Sequence, residues 1–409
     1  MIIEFTVGNF LSFKKSATLS MVASTLKEKY TNEDDILISQ GEVGTKLLKS
    51  TIIYGANASG KSNFIKALSF CRNFILNSSK QIQAGDLIDI DNFKLSDDTR
   101  TAPSNFEVIF TIGDIMYRYG FELDTQKVHK EWLFSKRLKK RAKETELFFR
   151  DTETFDIHSK LSTSRELASK KMVRDNALLL SVAAQFNESI ATEIINYFIH
   201  LNIITSSIDK EYRDSAISVL NDDEMRMRIT KFAQYADFGI DDIVTIDNTL
   251  ISRHMLYDTE NNEISKINFD FFKSESEGTI KYFTLAYPII TALDKGSVIV
   301  LDEFDAKMHP ILTASIVALF NSKECNPKGA QLIFTTHDTN LLSSHTFRRD
   351  QIWFTEKDRY GASVLFPLSD YNVRSTSSFE KDYLSGKYGA IPIIRNLERL
   401  FTPKSKNVW

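Results

Sequence analysis

Cysteine is nearly absent: the 409 residues contain two, Cys71 and Cys325, far apart in the chain. They form neither a metal-ligand pair nor a redox motif, and each reads as a small core residue in a reducing compartment. Excess charge is absent too. The 51 basic and 54 acidic residues leave a net charge of −3, which excludes a globally basic nucleic-acid binder and leaves only local patches. No run of about 18 apolar residues occurs, so no membrane-spanning helix is expected. The opening MIIEFTVGNF lacks the basic segment and long apolar stretch of a signal peptide. Internal repeats, low-complexity segments and sustained heptads are missing as well, which excludes solenoids and long coiled coils. What remains is a cytoplasmic globular protein of ordinary composition, long enough for two or three lobes.

What is present centres on residues 51–68, TIIYGANASGKSNFIKAL. Ile52, Ile53 and Tyr54 form a short apolar run suited to a buried strand, and Phe64, Ile65, Ala67 and Leu68 continue with helical spacing. Between them, Gly55 to Ser62 fits G-x-x-x-x-G-K-[ST] at every fixed position. The glycines let backbone turn tightly and approach a ligand, and the loop N–H groups face phosphate oxygens with the positive end of the helix dipole behind them. The expected nucleotide-binding set is therefore Gly55, Asn57, Ala58, Ser59, Gly60, Lys61, Ser62 and Asn63. Lys61 reaches the β- and γ-phosphates of ATP, and Ser62 ligates Mg²⁺. Coincidence is the competing reading, and the strand before and helix after weigh against it.

The rest of the chain suggests three regions. Residues 1–150 read as strands around the loop-and-helix unit: two near the N-terminus, a polar stretch at 24–46 passing over the nucleotide region, and hairpins pairing 106–112 with 116–123 and 131–138 with 146–150. The tip of the last hairpin is basic (Lys136, Arg137, Lys139, Lys140, Arg141, Lys143). With no interleaved aromatics it reads as a solvated edge before it reads as a phosphate-backbone contact. Residues 151–238 carry amphipathic helical patterns, including Ile190–Leu201 and Met225–Ala236, and read as a compact helical insertion. Residues 239–409 return to an α/β pattern. VIVL (298–301) and LIFT (332–335) are buried parallel strands, 284–293 and 310–320 are helices, and an edge strand at 363–368 leads to a short terminal helix.

Three clusters in this last region carry chemistry. Asp302 and Glu303 end an apolar strand, the Walker B position. There Asp302 holds Mg²⁺ through water and Glu303 polarises the attacking water. The plain alternative is a strand ending in a polar turn. SESEGT (274–279) opens a helix, where Ser276 and Gly278 form an anion site, a plain N-cap, or both. His337 follows the second apolar strand, placed to bond a γ-phosphate rather than to serve structure alone. Asp305 falls near a subunit boundary beside the nucleotide.

GANASGKS, SESEGT, VIVLDE and TTHD, in this order, resemble the ATP-binding-cassette type of ATPase domain. The chain is similar to the stand-alone ATPases of the overcoming-lysogenisation-defect, RecF and Rad50 groups, and IIEFTVGNFLSF resembles their first strand. RDQIWFTEKDRYGASVLFPLSD and FEKDYLSGKYGAIP resemble the abortive-infection ATPases of the AbiL/RloA type. The resemblance implies an α/β ATPase head with a mixed sheet, an N-terminal antiparallel β lobe and a helical insertion. It implies that Glu303 and His337 are catalytic. It also implies that Ser276, Gly278 and Asp305 belong to a signature and D-loop acting on nucleotide held by an opposite, identical subunit. Leu11 stands where related repair ATPases often carry arginine. SESEGT keeps only the serine and second glycine of the signature. Gln81 and Gln83 are the candidates for the Q-loop glutamine.

The expected function is an ATP-hydrolysing switch in an antiphage system, slow and dimerisation-dependent. It acts with a separately encoded effector such as a nuclease, since the segment after His337 is short for a nuclease domain. Nucleic acid is then met through that partner, and no membrane is involved. The alternative is a repair-type ATPase that clamps DNA itself. A transporter's nucleotide-binding subunit is disfavoured by the long insertion.

Overall fold

The computed structural model describes residues 1–28, 30, 32, 36–41, 44–205, 209–237, 239–343, 345–373 and 377–392. Alternating apolar residues build β1 (Ile2–Gly8), which buries Phe5 and Val7, and β2 (Ala17–Ser20) pairs with it antiparallel. A small ribbon, β3 (Leu37–Gln40) and β4 (Thr45–Leu48), leads to β5 (Ser50–Gly55), buried along its whole length. The P-loop follows, and then α1 (Lys61–Asn77). Long hairpins add β6 (Ser104–Ile112), β7 (Ile115–Leu123), β8 (Val128–Arg137), β9 (Thr145–Arg150) and the short β10 (Phe155–Ile157). The result is a seven-stranded antiparallel sheet of order β10-β9-β8-β7-β6-β1-β2. The apolar stripe of α1, including Phe64, Leu68, Cys71 and Ile75, belongs to the core beneath this sheet, with Phe64 edge-on to Phe5 at 5.4 Å.

The helical region comprises α2 (Ser162–Ser169), α3 (Leu179–Gln185), α4 (Ser189–Ile199), the strand β11 (Asn202–Ile204), α5 (Asp209–Ser218) and α6 (Asp223–Gln234). The buried apolar residues of its helices divide between two cores. Leu167, Leu178, Leu179, Leu180, Ile194 and Phe198 pack with the antiparallel sheet, whereas Ala216, Ile229 and Ala233 pack with Phe283 and Ala286 downstream. A buried acid helps to fix the first half. Glu131 on β8 accepts the N–H groups of Leu179 (2.7 Å) and Leu180 (3.0 Å), and its carboxylate lies 2.8 Å from Arg150.

Three strands then form a separate antiparallel sheet: β12 (Ile240–Ile246), β13 (Thr249–Tyr257) and β14 (Glu263–Asp270). They precede α7 (Glu277–Lys295), β15 (Val298–Leu301), α8 (Pro310–Asn321), β16 (Gln331–Thr335), β17 (Ile352–Lys357), β18 (Ser363–Pro367) and α9 (Phe379–Leu384). The second large sheet has the order β11-β15-β16-β5-β17-β18, parallel except for β18. The mixed α/β fold with an antiparallel lobe and a helical insertion is thus present. Gly55, Leu301 and Thr335 all reach one edge of this sheet, the carboxyl edge where open α/β sheets bind ligands.

None of the described residues of the polar stretch at 24–46 lines the cleft at that edge. Residues 24–28 cover the opposite edge, where β17 begins. There Arg348 and Asp350, both buried, pair with each other and need further partners. Ser24 N–H donates to Asp350 (2.7 Å), the carbonyls of Ser24 and Leu26 accept from Arg348, and Arg349 pairs with Glu28 at 2.8 Å. Any helix beyond Pro392 lies outside the described residues. No helix among the described residues is long and apolar enough to cross a membrane.

Candidate functional site

Strand β5 delivers Gly55 to the sheet edge, and the chain turns through residues 56–60 into α1. The helix begins bare: Gly60 is its N-cap, no side chain caps it and its first turn holds no acid. Its first N–H groups are therefore free for an anion, reinforced by the helix dipole. Gly60 needs to be glycine on two counts. Its φ is 122°, and a Cβ there would meet Ser363 Oγ at 2.5 Å. Lys61 is buried, and its Nζ donates to the carbonyls of Gly55 (2.8 Å) and Ala56 (3.2 Å). Burial pushes its pKa down, while Asp302, Glu303 and Asp305 oppose that shift.

The facing wall is acidic. Asp302, nearly buried at the end of β15, accepts from Thr335 Oγ1 (2.7 Å) and from Ser62 Oγ (3.2 Å). Glu303 is exposed, at a φ of 49°, and its N–H donates to Thr335 Oγ1 at 2.8 Å. Asp305 stands one step back and accepts the backbone N–H of His337 at 3.2 Å. Burial lowers the His337 pKa first and the Lys61 charge lowers it further, against the pull of Asp305, Glu303 and Asp302. The imidazole is therefore neutral at neutral pH.

A cleft of about 410 Å³ is lined by Asn57, Ala58, Ser59, Gly60, Lys61, Ser62, Asn63, Glu303, His337 and Lys357. Of the expected residues, Gly55, Asp302 and Asp305 stand just behind this lining. Ser276 and Gly278 are not in it. Ser276 caps α7, its Oγ accepting the Thr279 N–H at 3.1 Å, and a Cβ on Gly278 would meet the Lys307 carbonyl at 2.7 Å. Gln81 and Gln83 follow the far end of α1, a 17-residue helix about 25 Å long, so neither supplies a glutamine to the cleft.

Four residues escaped sequence reasoning. Ser363 Oγ donates to the Ser59 carbonyl (2.6 Å) and shares a 2.8 Å hydroxyl contact with Ser12 Oγ. Asn63 Nδ2 donates to the same Ser12 oxygen at 2.8 Å, and Thr355 and Ser59 share a 2.6 Å hydroxyl contact. Lys357 enters the lining from the end of β17. The resembling segments at 2–13 and 349–370 contain these positions, but nothing in them marks a role at the loop, because each reaches it through contacts between distant parts of the chain.

The residues fit a nucleoside triphosphate with Mg²⁺. The loop and helix N–H groups would hold phosphates, and the Ser62 and Asp302 oxygens would hold the metal. Among the described residues no group of three or more His, Cys, Asp or Glu is arranged as a metal cage. Mg²⁺ takes one or two protein oxygens and completes its shell with phosphate and water, so Ser62 and Asp302 would be enough to hold it. Bound there, the metal would neutralise charge on the phosphates. With such a ligand bound, Glu303 could take a proton from water and neutral His337 could donate a hydrogen bond to a phosphate oxygen.

A family model described as "AAA domain, putative AbiEii toxin, Type IV TA system" matches residues 50–343. The chain belongs to this family. The match runs from the first residue of β5 past His337, so it includes every residue of the cleft except Lys357. No curated protein matches the sequence. Among solved structures, the SMC head bound to the C-winged-helix domain of ScpA has 11% identity, covers 90% of this chain and 97% of its own, and gives a TM-score of 0.38. RecF with ATP has 13% identity, 89% and 97% coverage, and a TM-score of 0.28. The family membership therefore rests on the sequence match, and the fold on the observed topology.

Proposed function

We propose that this AAA-family chain is an ATP-binding and slowly ATP-hydrolysing switch subunit in a bacterial abortive-infection-type antiphage system. It works as a pair of identical subunits with a separately encoded effector such as a nuclease. The family's AbiEii-toxin description supports the defence setting. One observation carries the pairing: the Ser276–Gly278 segment packs on Lys307 and stays out of the chain's own cleft. A signature on the γ-phosphate then has to come from a second copy. ATP bridges two subunits, and its hydrolysis releases them.

Native mass measurement with and without ATP tests this. Lys61→Ala removes nucleotide binding and stays monomeric. Glu303→Gln keeps ATP, turns over about 100-fold slower or less, and accumulates as the dimer. Wild-type turnover in both variants sinks the reading.

A DNA-clamping ATPase is the second reading. It is favoured by the β8–β9 tip, where Arg137, Lys139, Lys140, Arg141 and Lys143 are exposed and make no ion pair among the described residues. ATP-stimulated DNA binding with a steep salt dependence would favour it, and no binding at low salt would remove it.

A further inference from the structure

Lys357 lies outside the family match and outside the phosphate-binding, Walker B and signature motifs, yet it lines the cleft. Its strand explains why. β17 runs parallel to β5, with Thr355 opposite Gly55, so the strand continues two residues past the point where β5 gives way to the loop. The Thr355 hydroxyl contacts Ser59 Oγ at 2.6 Å, which places that face of the strand against the loop. Side chains two apart share a face, so Lys357 points the same way. Its position is anchored, because its cross-strand partner is Ser363, the residue bonded to the Ser59 carbonyl and abutting Gly60.

Charge completes the argument. Asp302, Glu303 and Asp305 put three carboxylates along one wall, and the Lys61 ammonium is bonded to the loop's own carbonyls. Lys357 is exposed and has no hydrogen bond or ion pair for its ammonium among the described residues. A polyanionic ligand entering the cleft meets that free cation on the side away from the acids.

We infer that Lys357 is a second phosphate-binding cation of the nucleotide site, gripping the triphosphate from the β17–β18 hairpin while Lys61 acts from the loop. This deepens the proposed ATP-binding function and rests on it. The test is titration of the full chain with Mg-ATP for wild type, Lys357→Ala, Lys357→Gln, Lys357→Arg and Lys61→Ala, with melting temperatures recorded alongside. Both neutral Lys357 variants should bind ATP about five- to twentyfold more weakly, as expected for losing one charge-assisted contact. Their salt dependence should be shallower and their melting temperature unchanged, and Lys357→Arg should bind as wild type does. Wild-type affinity in both neutral variants, with binding lost in Lys61→Ala, overturns the Lys357 assignment alone. Wild-type affinity in Lys61→Ala as well overturns the nucleotide site itself.

Discussion

Ala58 and Glu303 face the cleft with φ of 61° and 49°, a left-handed conformation that costs a residue with a Cβ roughly 1–2 kcal/mol. Strain of this kind persists where the surroundings over-determine it. At Glu303 they do so through Thr335, whose hydroxyl accepts the Glu303 N–H while donating to Asp302. His337 is set by its surroundings in a different way. Its pKa in the folded chain lies below the ordinary value because of burial and then Lys61. The folded state therefore binds fewer protons than the unfolded one as pH drops below about 6.5. The stability associated with neutral His337 is present at neutral pH and is lost on the acid side. Two outcomes are expected. By NMR the His337 midpoint lies below the usual histidine value and rises in Lys61→Ala, and the acid-side fall in melting temperature is shallower in His337→Asn. A midpoint at or above the usual value would remove this account.

At the scale of elements, the helical region is held from outside itself. The first turn of α3 has no side-chain cap, and Glu131, fully buried on β8, supplies the missing acceptor for Leu179 and Leu180 while also bonding Tyr119 Oη at 2.8 Å. Its charge is balanced by Arg150, which also donates to the Ala177 carbonyl at 2.6 Å. Glu131→Ala leaves a buried arginine without its counter-ion, and the expected loss is about 3–5 kcal/mol, read from denaturant unfolding. A loss below about 1 kcal/mol would mean that apolar packing alone seats α3. The amphipathic patterns at Ile190–Leu201 and Met225–Ala236 were legible as helices with a buried face. The division of the region between two cores was not, because helical periodicity marks the buried face of a helix without identifying what covers it.

For the whole molecule, the proposed pairing makes a prediction that no single variant can. Lys61→Ala disables a subunit's loop and Ser276→Arg disables its signature, so each variant alone is inactive. When they are mixed in equal amounts, a Lys61→Ala subunit pairs with a Ser276→Arg subunit through the one composite site that this mixed dimer keeps intact. ATPase activity should return, to at most about half of wild type, because each mixed dimer has one working site of two. No recovery after verified exchange would place a complete site within one chain. The sequence by itself determined the strand–loop–helix at Ser50–Asn77, the Asp302–Glu303 strand end and the Ser276 cap, because these depend on neighbours within a turn or a strand. Only the tertiary structure decided what encloses the loop. Ser59 and Ser363 are 304 positions apart, and their contact depends on β17 settling beside β5, a pairing between distant segments that leaves no periodic trace in either. The same pairing carries Lys357 into the cleft. It also puts residues 24–28 at the opposite edge, where the buried Arg348 and Asp350 require hydrogen-bond partners.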